Sequence, residues 1–132
     1  MVLLFHAALM SLGFLCSAGA AATAIFFRKR RWWLKVHRAL GYAAGGLAAA
    51  GFLAAWWMVA ASPAGGHFHV PHAKMGLVTV ILILATPTAG ALQLRVRTMT
   101  PVLRKIHVGL GRISVVLMAI TLLMGLLTAE LL

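Results

Sequence analysis

Four long apolar runs, separated by three short polar breaks, make up almost the whole chain. The runs cover about residues 2–27, 33–61, 71–94 and 101–127. Each exceeds the roughly 20 apolar residues that an α-helix needs to cross the hydrocarbon of a bilayer. The breaks are abrupt. RKRRWW is charged and interfacial, SPAGGHFHVP has the proline and glycine density of a loop, and RVRTMTP is polar. Pro101 suits a first helical turn, where its missing N–H has no partner to lose. Pro87, inside the third run, is expected to bend that helix rather than end it. The alternating apolar–polar pattern of barrel strands is absent. The pattern predicts an all-α fold, a transmembrane four-helix bundle formed by one domain over residues 1–132.

Composition supports this reading. Of 132 residues, 63% are hydrophobic and 10% charged, where a soluble domain carries about 25% charged residues. The formal charge of +11 is no sign of nucleic-acid binding, because the cations cluster between apolar runs instead of covering a soluble surface. Glu130 is the single acidic residue and Cys16 the single cysteine, so no intrachain disulfide can form. The first run is not expected to be a cleaved signal: its positive residues, Arg28, Lys29, Arg30 and Arg31, follow it instead of preceding it. Eleven of the twelve cations fall at the first and third breaks or their flanks, and only Lys74 lies beside the second. The positive-inside rule puts the first and third breaks in the cytoplasm and both termini outside. The expected location is the inner (plasma) membrane of a bacterium, spanned several times. Trp32 and Trp33 would mark the inner interface and Trp56 and Trp57 the outer one.

The histidines carry the chemistry. KVHRALG opens the second run and KIHVGLG the fourth. His6, His37, His72 and His107 follow one another at 31, 35 and 35 residues, each near the first turns of its own helix. Because successive helices alternate in direction, His6 and His72 fall toward the outer face and His37 and His107 toward the inner face. The result is two pairs at two depths. Ionisable groups inside a membrane are rare and mark function, although four separate helix–helix hydrogen bonds would be the bland alternative. Helices 1 and 3 run one way and helices 2 and 4 the other, so each pair is expected across a bundle diagonal.

Two histidines at one level suit haem iron, which takes two axial ligands. Zinc usually wants four ligands, often with thiolate or carboxylate, and the spans contain no acidic residue before Glu130. Gly41, Gly76 and Gly111 each follow their histidine by four residues, on the same helix face. A glycine there removes a side chain that would strike a porphyrin. Met10 holds that position in the first helix, with Gly13 a turn further on. Two b-type haems, non-covalent and bis-histidine, are therefore expected, giving the bundle two haem-binding levels. Lys35, Arg38, Arg104 and Lys105 lie at the inner level and Lys74 at the outer one, as candidate partners for anionic propionates. Arg112, five residues beyond His107, either snorkels to the interface or serves an anionic or quinone substrate. His67 and His69 read as ordinary loop histidines, with a metal or acceptor site beside His72 as the sharper alternative.

The four histidines, the histidine–glycine spacing and the basic inner ends together resemble the cytochrome b561 family, as a small prokaryotic-type member. The resemblance covers essentially the whole chain as the family's four-helix core; larger members add a helix on each side. It implies electron transfer across the membrane, as a transmembrane oxidoreductase, between a donor such as ascorbate or quinol and an acceptor such as monodehydroascorbate, ferric iron or a partner protein. The expected partners are membrane lipid and that redox donor or protein, with an oligomer open and nucleic acid excluded. Other four-helix b-haem proteins share the same physics, so the alternative is a membrane anchor that passes electrons between a soluble redox partner and quinone.

The charge asymmetry makes topology testable. A reporter that works only in the cytoplasm should be inactive when fused to the C-terminus, and activity there would invert the orientation.

Overall fold

The computed structural model describes residues 1–63 and 66–129, with the side chain of Arg97 excepted; Glu130 lies outside the described residues. Four α-helices run in order: α1 (Val2–Phe26), α2 (Trp33–Ala60), α3 (Pro71–Arg95) and α4 (Thr100–Thr128). A single turn of 3₁₀-helix, Arg97–Met99, leads into α4. All four helices are long and apolar enough to cross a membrane, and their ends fall within one residue of the boundaries that hydropathy predicts. Large hydrophobic side chains such as Leu15, Leu53, Ile81, Val116 and Leu123 are exposed on the bundle's outside. In water they would be a liability; in a bilayer they meet lipid.

Pro87 leaves α3 unbroken. It has no N–H to donate one turn back. On either side of it, the Thr86 hydroxyl donates to the Leu82 carbonyl and the Thr88 hydroxyl to the Leu84 carbonyl, each at 2.8 Å. The short connections are tied by local bonds. Arg30 N–H donates to the Phe27 carbonyl at 2.9 Å in the α1–α2 turn. The Thr100 hydroxyl reaches back to the Gln93 carbonyl at 3.1 Å in the α3–α4 turn. In the α2–α3 loop Gly66 has φ +93°, and the His69 ring lies where its Cβ would be, so only glycine fits there.

The bundle is two hairpins. α1 packs along α2 and α3 along α4, and the hairpins touch more sparingly through α2–α3 and α1–α4. Among the described residues the diagonal helices, α1 with α3 and α2 with α4, do not touch at the backbone level. Space is therefore left between the hairpins, at two heights. Between those heights sits the buried core: Ala44, Ala48, Val80, Ile83 and Met118, with Phe14, Cys16 and Phe52 packed against it.

The two hairpins close by different means. Sliding α1 onto α3 by 66 residues and α2 onto α4 by 70 superposes the histidines. Under that shift the buried small residues Gly13, Ala20, Ala44 and Gly51 correspond to Thr79, Thr86, Ser114 and Thr121. The first hairpin is closed by small residues that let backbones approach. The second is closed by two hydroxyl pairs, Thr79–Thr121 at 3.0 Å and Thr86–Ser114 at 3.2 Å. Thr79 donates to the Met75 carbonyl at 2.8 Å, so Thr121 donates to Thr79.

These clasps predict a small coupling. Thr79→Val and Thr121→Val, alone and together, should show an interaction of about 0.6 kcal/mol, the average for hydrogen bonds between membrane helices. Reversible unfolding in detergent measures it, and strict additivity of the two changes would remove the clasp from the account.

Candidate functional site

Each of the four expected histidines is half-buried and aims its ring inward from the first turns of its helix. All four make the same bond. Nδ1 of His6 meets the Gly51 carbonyl at 2.7 Å, and Nδ1 of His37 meets the Ala20 carbonyl at 2.8 Å. Nδ1 of His72 meets the Thr121 carbonyl at 3.0 Å, and Nδ1 of His107 meets the Thr86 carbonyl at 2.8 Å. A carbonyl only accepts, so Nδ1 carries the hydrogen in every case, and in a neutral ring Nε2 is left with its lone pair. No hydrogen bond occupies an Nε2 among the described residues. The bonds are reciprocal within each hairpin: α1 to α2 and back, α3 to α4 and back.

The acceptors have a register of their own. Ala20, Gly51, Thr86 and Thr121 each lie fourteen residues after the histidine of their own helix. Fourteen residues is close to four turns, on nearly the same face, and about 21 Å at 1.5 Å per residue. The sequence pattern missed this register, because a backbone carbonyl has no side-chain signature. The readable trace is the small or hydroxyl residue at that offset.

The rings pair across the diagonals, as helix direction predicts. His6 and His72 have ring centroids 6.2 Å apart with planes at 82°. His37 and His107 have centroids 5.8 Å apart with planes at 85°. One metal between two imidazoles demands about 6 Å: about 2 Å from metal to nitrogen on each side, and about 1 Å from nitrogen to ring centre. Both separations suit one shared ion per pair.

Each pair lines a cavity between the hairpins. The outer one, about 330 Å³, is walled by His6, His72, Gly76, Phe52, Met118 and Gly125 among others. The inner one, about 110 Å³, is walled by His37, His107, Gly41, Gly111, Ile83 and Ser114 among others. The three glycines that follow their histidines all border these spaces. A Cβ on Gly41 would meet no protein atom within 4 Å, and one on Gly76 would meet only the Thr121 methyl, at 3.9 Å. Open space over a glycine, beside a pair of imidazoles with free Nε2 atoms, is a cradle for a flat macrocycle. Two further glycines, which the sequence reading did not single out, make room for the rings themselves. A Cβ on Gly125 would fall 2.7 Å from His72, and one on Gly90 would fall 3.0 Å from His107.

The cations are less uniformly placed. Arg38 lines the inner cavity. Lys35, Arg104 and Lys105 are exposed at the same end of the bundle but do not wall it, and Lys74 does not wall the outer cavity. Arg112 is exposed on the outside of α4 and lies off the inner cavity wall. His67 does reach the outer cavity, stacked on Trp56 at 3.8 Å and 11°. Trp56 is thus more than an interfacial anchor. Among the described residues no three metal-binding side chains gather, so His67 and His69 do not join His72 in a metal cluster.

Comparison with known proteins agrees with this geometry at the level of the family. The family model described as eukaryotic cytochrome b561 matches residues 5–132. That description names eukaryotic members, where the sequence reading expected a small prokaryotic type. No curated protein and no solved structure matches significantly. A match over nearly the entire chain, on a bundle whose histidines pair across both diagonals, places it: the chain belongs to the cytochrome b561 family, multi-pass membrane proteins that bind b-type haem and transfer electrons across the bilayer.

Proposed function

We propose that this chain conducts electrons through the bilayer by way of two b-type haems, one held by His6 and His72 and the other by His37 and His107. One observation carries the reading: all four imidazoles direct Nδ1 to a carbonyl of the neighbouring helix, leave Nε2 without a hydrogen bond, and stand in pairs across the diagonals at 6.2 and 5.8 Å between ring centres. Bound haem supplies a one-electron ferric/ferrous couple.

The chain's own residues do the rest. The Nδ1–H bonds lock tautomer and ring orientation and raise the basicity of the ligating nitrogen. Gly41, Gly76 and Gly111 keep the cavity faces clear, and Arg38 can neutralise a carboxylate at the inner level. The levels stand about 21 Å apart along each helix, and the layer between them is Ala44, Ala48, Val80, Ile83 and Met118. Among the described residues that layer has no acidic or histidine side chain to carry a proton, so net movement is of electrons alone and generates a potential. The cation bias supports an inner level facing the cytoplasm, with both termini outside. The donor is a quinol or an ascorbate-like reductant and the acceptor lies across the membrane. With Lys35, Arg104 and Lys105 off the cavity wall, these residues are left to attract an anionic donor to the inner surface.

Pyridine haemochrome assay should return two haems b per chain. His37→Ala or His107→Ala should lose the inner one and His6→Ala or His72→Ala the outer one. A single haem in fully loaded protein defeats the reading. Gly41→Leu gives a gentler version: its side chain meets empty cavity rather than protein, so the fold should survive while haem content drops from two to one.

In sealed vesicles with reductant inside and an impermeant ferric acceptor outside, reduction of the acceptor should need the loaded protein. Absence of transfer in both orientations, with both haems present and reducible, would overturn the function and leave the fold standing.

A further inference from the structure

α4 carries one cation that the electron path does not use. Arg112 lies seven residues beyond Lys105, about 10 Å further along the axis, inside a membrane-spanning helix. Cations at such depth almost always face the bundle interior or a water-filled cavity. Arg112 does neither: it is exposed on the outside of α4 and lies off the wall of both cavities. The internal repeat does not ask for it. Sliding α2 onto α4 by 70 residues sets Tyr42 at its place, so the other half holds its histidine with no cation at that position.

No carboxylate among the described residues can pair with it. Glu130 is the single acidic residue of the chain, eighteen positions further on. The counter-charge for Arg112 therefore comes from outside the chain, and its surroundings describe the source. Lys105, Gly109 and Arg112 follow one another at four and three residues, on one helix face. Helical side chains lean toward the helix N-terminus, which for α4 is the inner end. The guanidinium is thereby carried back over Gly109 toward the level of Lys105. A Cβ on Gly109 would meet no protein atom within 4 Å, so the space between the two cations is clear. Beyond Arg112 the same face continues through Val116, Ile120 and Leu123, all exposed, at steps of four, four and three residues. Two cations around an open slot, above an apolar track, match an anion that carries long hydrocarbon chains.

We infer that Lys105, Gly109 and Arg112 hold the headgroup phosphate of an anionic phospholipid at the inner end of the bundle, with an acyl chain laid along Val116, Ile120 and Leu123. The guanidinium stays charged at all relevant pH, and its planar fork meets two phosphate oxygens at once. The Lys105 ammonium closes the slot from the water side. The site stands apart from the cavities and holds whether the bundle carries two haems or one. Arg104, about a quarter-turn round α4, and Lys35, on α2, stay available to an anionic donor.

Native mass spectrometry of the haem-loaded protein, released from micelles holding phosphatidylglycerol and phosphatidylcholine in equal amounts, tests this. The unaltered protein should retain one phosphatidylglycerol in preference. Arg112→Gln should cut that preference about tenfold, the size of one hydrogen bond to a charged group. Gly109→Leu should cut it as well while keeping both cations. Its side chain fills the slot and meets no protein atom at Cβ, so haem content should not change. Lys29→Gln removes a cation from the same membrane face and should leave the preference as it was. Equal retention of both lipids by the unaltered protein would overturn the site, as would a preference that survives in Arg112→Gln or in Gly109→Leu. An equal loss in Lys29→Gln would also overturn it, assigning the preference to the general positive charge of that surface.

Discussion

The bond from each histidine's Nδ1–H to a carbonyl on the neighbouring helix organises this molecule. In hydrocarbon an unmatched polar group is expensive, and a ring that is to offer one nitrogen to a metal must satisfy the other. The chain does so with backbone, and the donation is mutual: α1 gives to α2 what α2 gives to α1, and α3 and α4 do the same. One type of bond thereby sets the tautomer, leaves four Nε2 atoms without a hydrogen bond and pins the vertical register of each hairpin. The fourteen-residue offset follows from it. Each helix must present a histidine at one level and an acceptor carbonyl at the other, on nearly the same face.

That constraint leaves freedom in how the hairpins close, and the two halves use it differently. Gly13, Ala20, Ala44 and Gly51 allow close backbone approach in the first half, while Thr79, Thr86, Ser114 and Thr121 form hydroxyl clasps in the second. Two of these hydroxyl residues, Thr86 and Thr121, also supply the acceptor carbonyls. The same divergence reaches the cavities. Met10 stands where the second half has Gly76, and a Cβ on Gly51 would lie 2.7 Å from its sulfur. Each diagonal pair therefore meets one small-residue hairpin and one hydroxyl-clasped hairpin.

Much of this was legible in the sequence, for physical reasons. A bilayer demands long apolar helices, so hydropathy places all four within a residue at their ends. Alternating helix direction turns the near-equal spacing of His6, His37, His72 and His107 into two depths, and parallel helices fall on the diagonals. Glycine four residues after histidine identifies cavity walls because a missing Cβ is visible in the letters. What stayed hidden depended on backbone or on rotation about a helix axis. The acceptor carbonyls of Ala20 and Gly51 have no side-chain mark. The exposure of Arg112 and the position of Lys35, Lys74, Arg104 and Lys105 off the cavity walls depend on helix rotation, which weakly amphipathic membrane helices encode poorly. His67 reads as a loop residue until the turn at Gly66 folds it onto Trp56.

The central claim is that each diagonal pair closes on one iron, and the ring planes make it directly measurable. The imidazoles of each pair are nearly perpendicular, at 82° and 85°. Perpendicular axial imidazoles leave low-spin ferric haem with strongly anisotropic electron paramagnetic resonance, whereas parallel ones give an ordinary rhombic spectrum. The oxidised protein at low temperature should therefore show strongly anisotropic low-spin signals that together integrate to two irons per chain. A high-spin signal of comparable intensity, or low-spin signals that integrate to one iron per chain, would contradict bis-histidine closure at both levels.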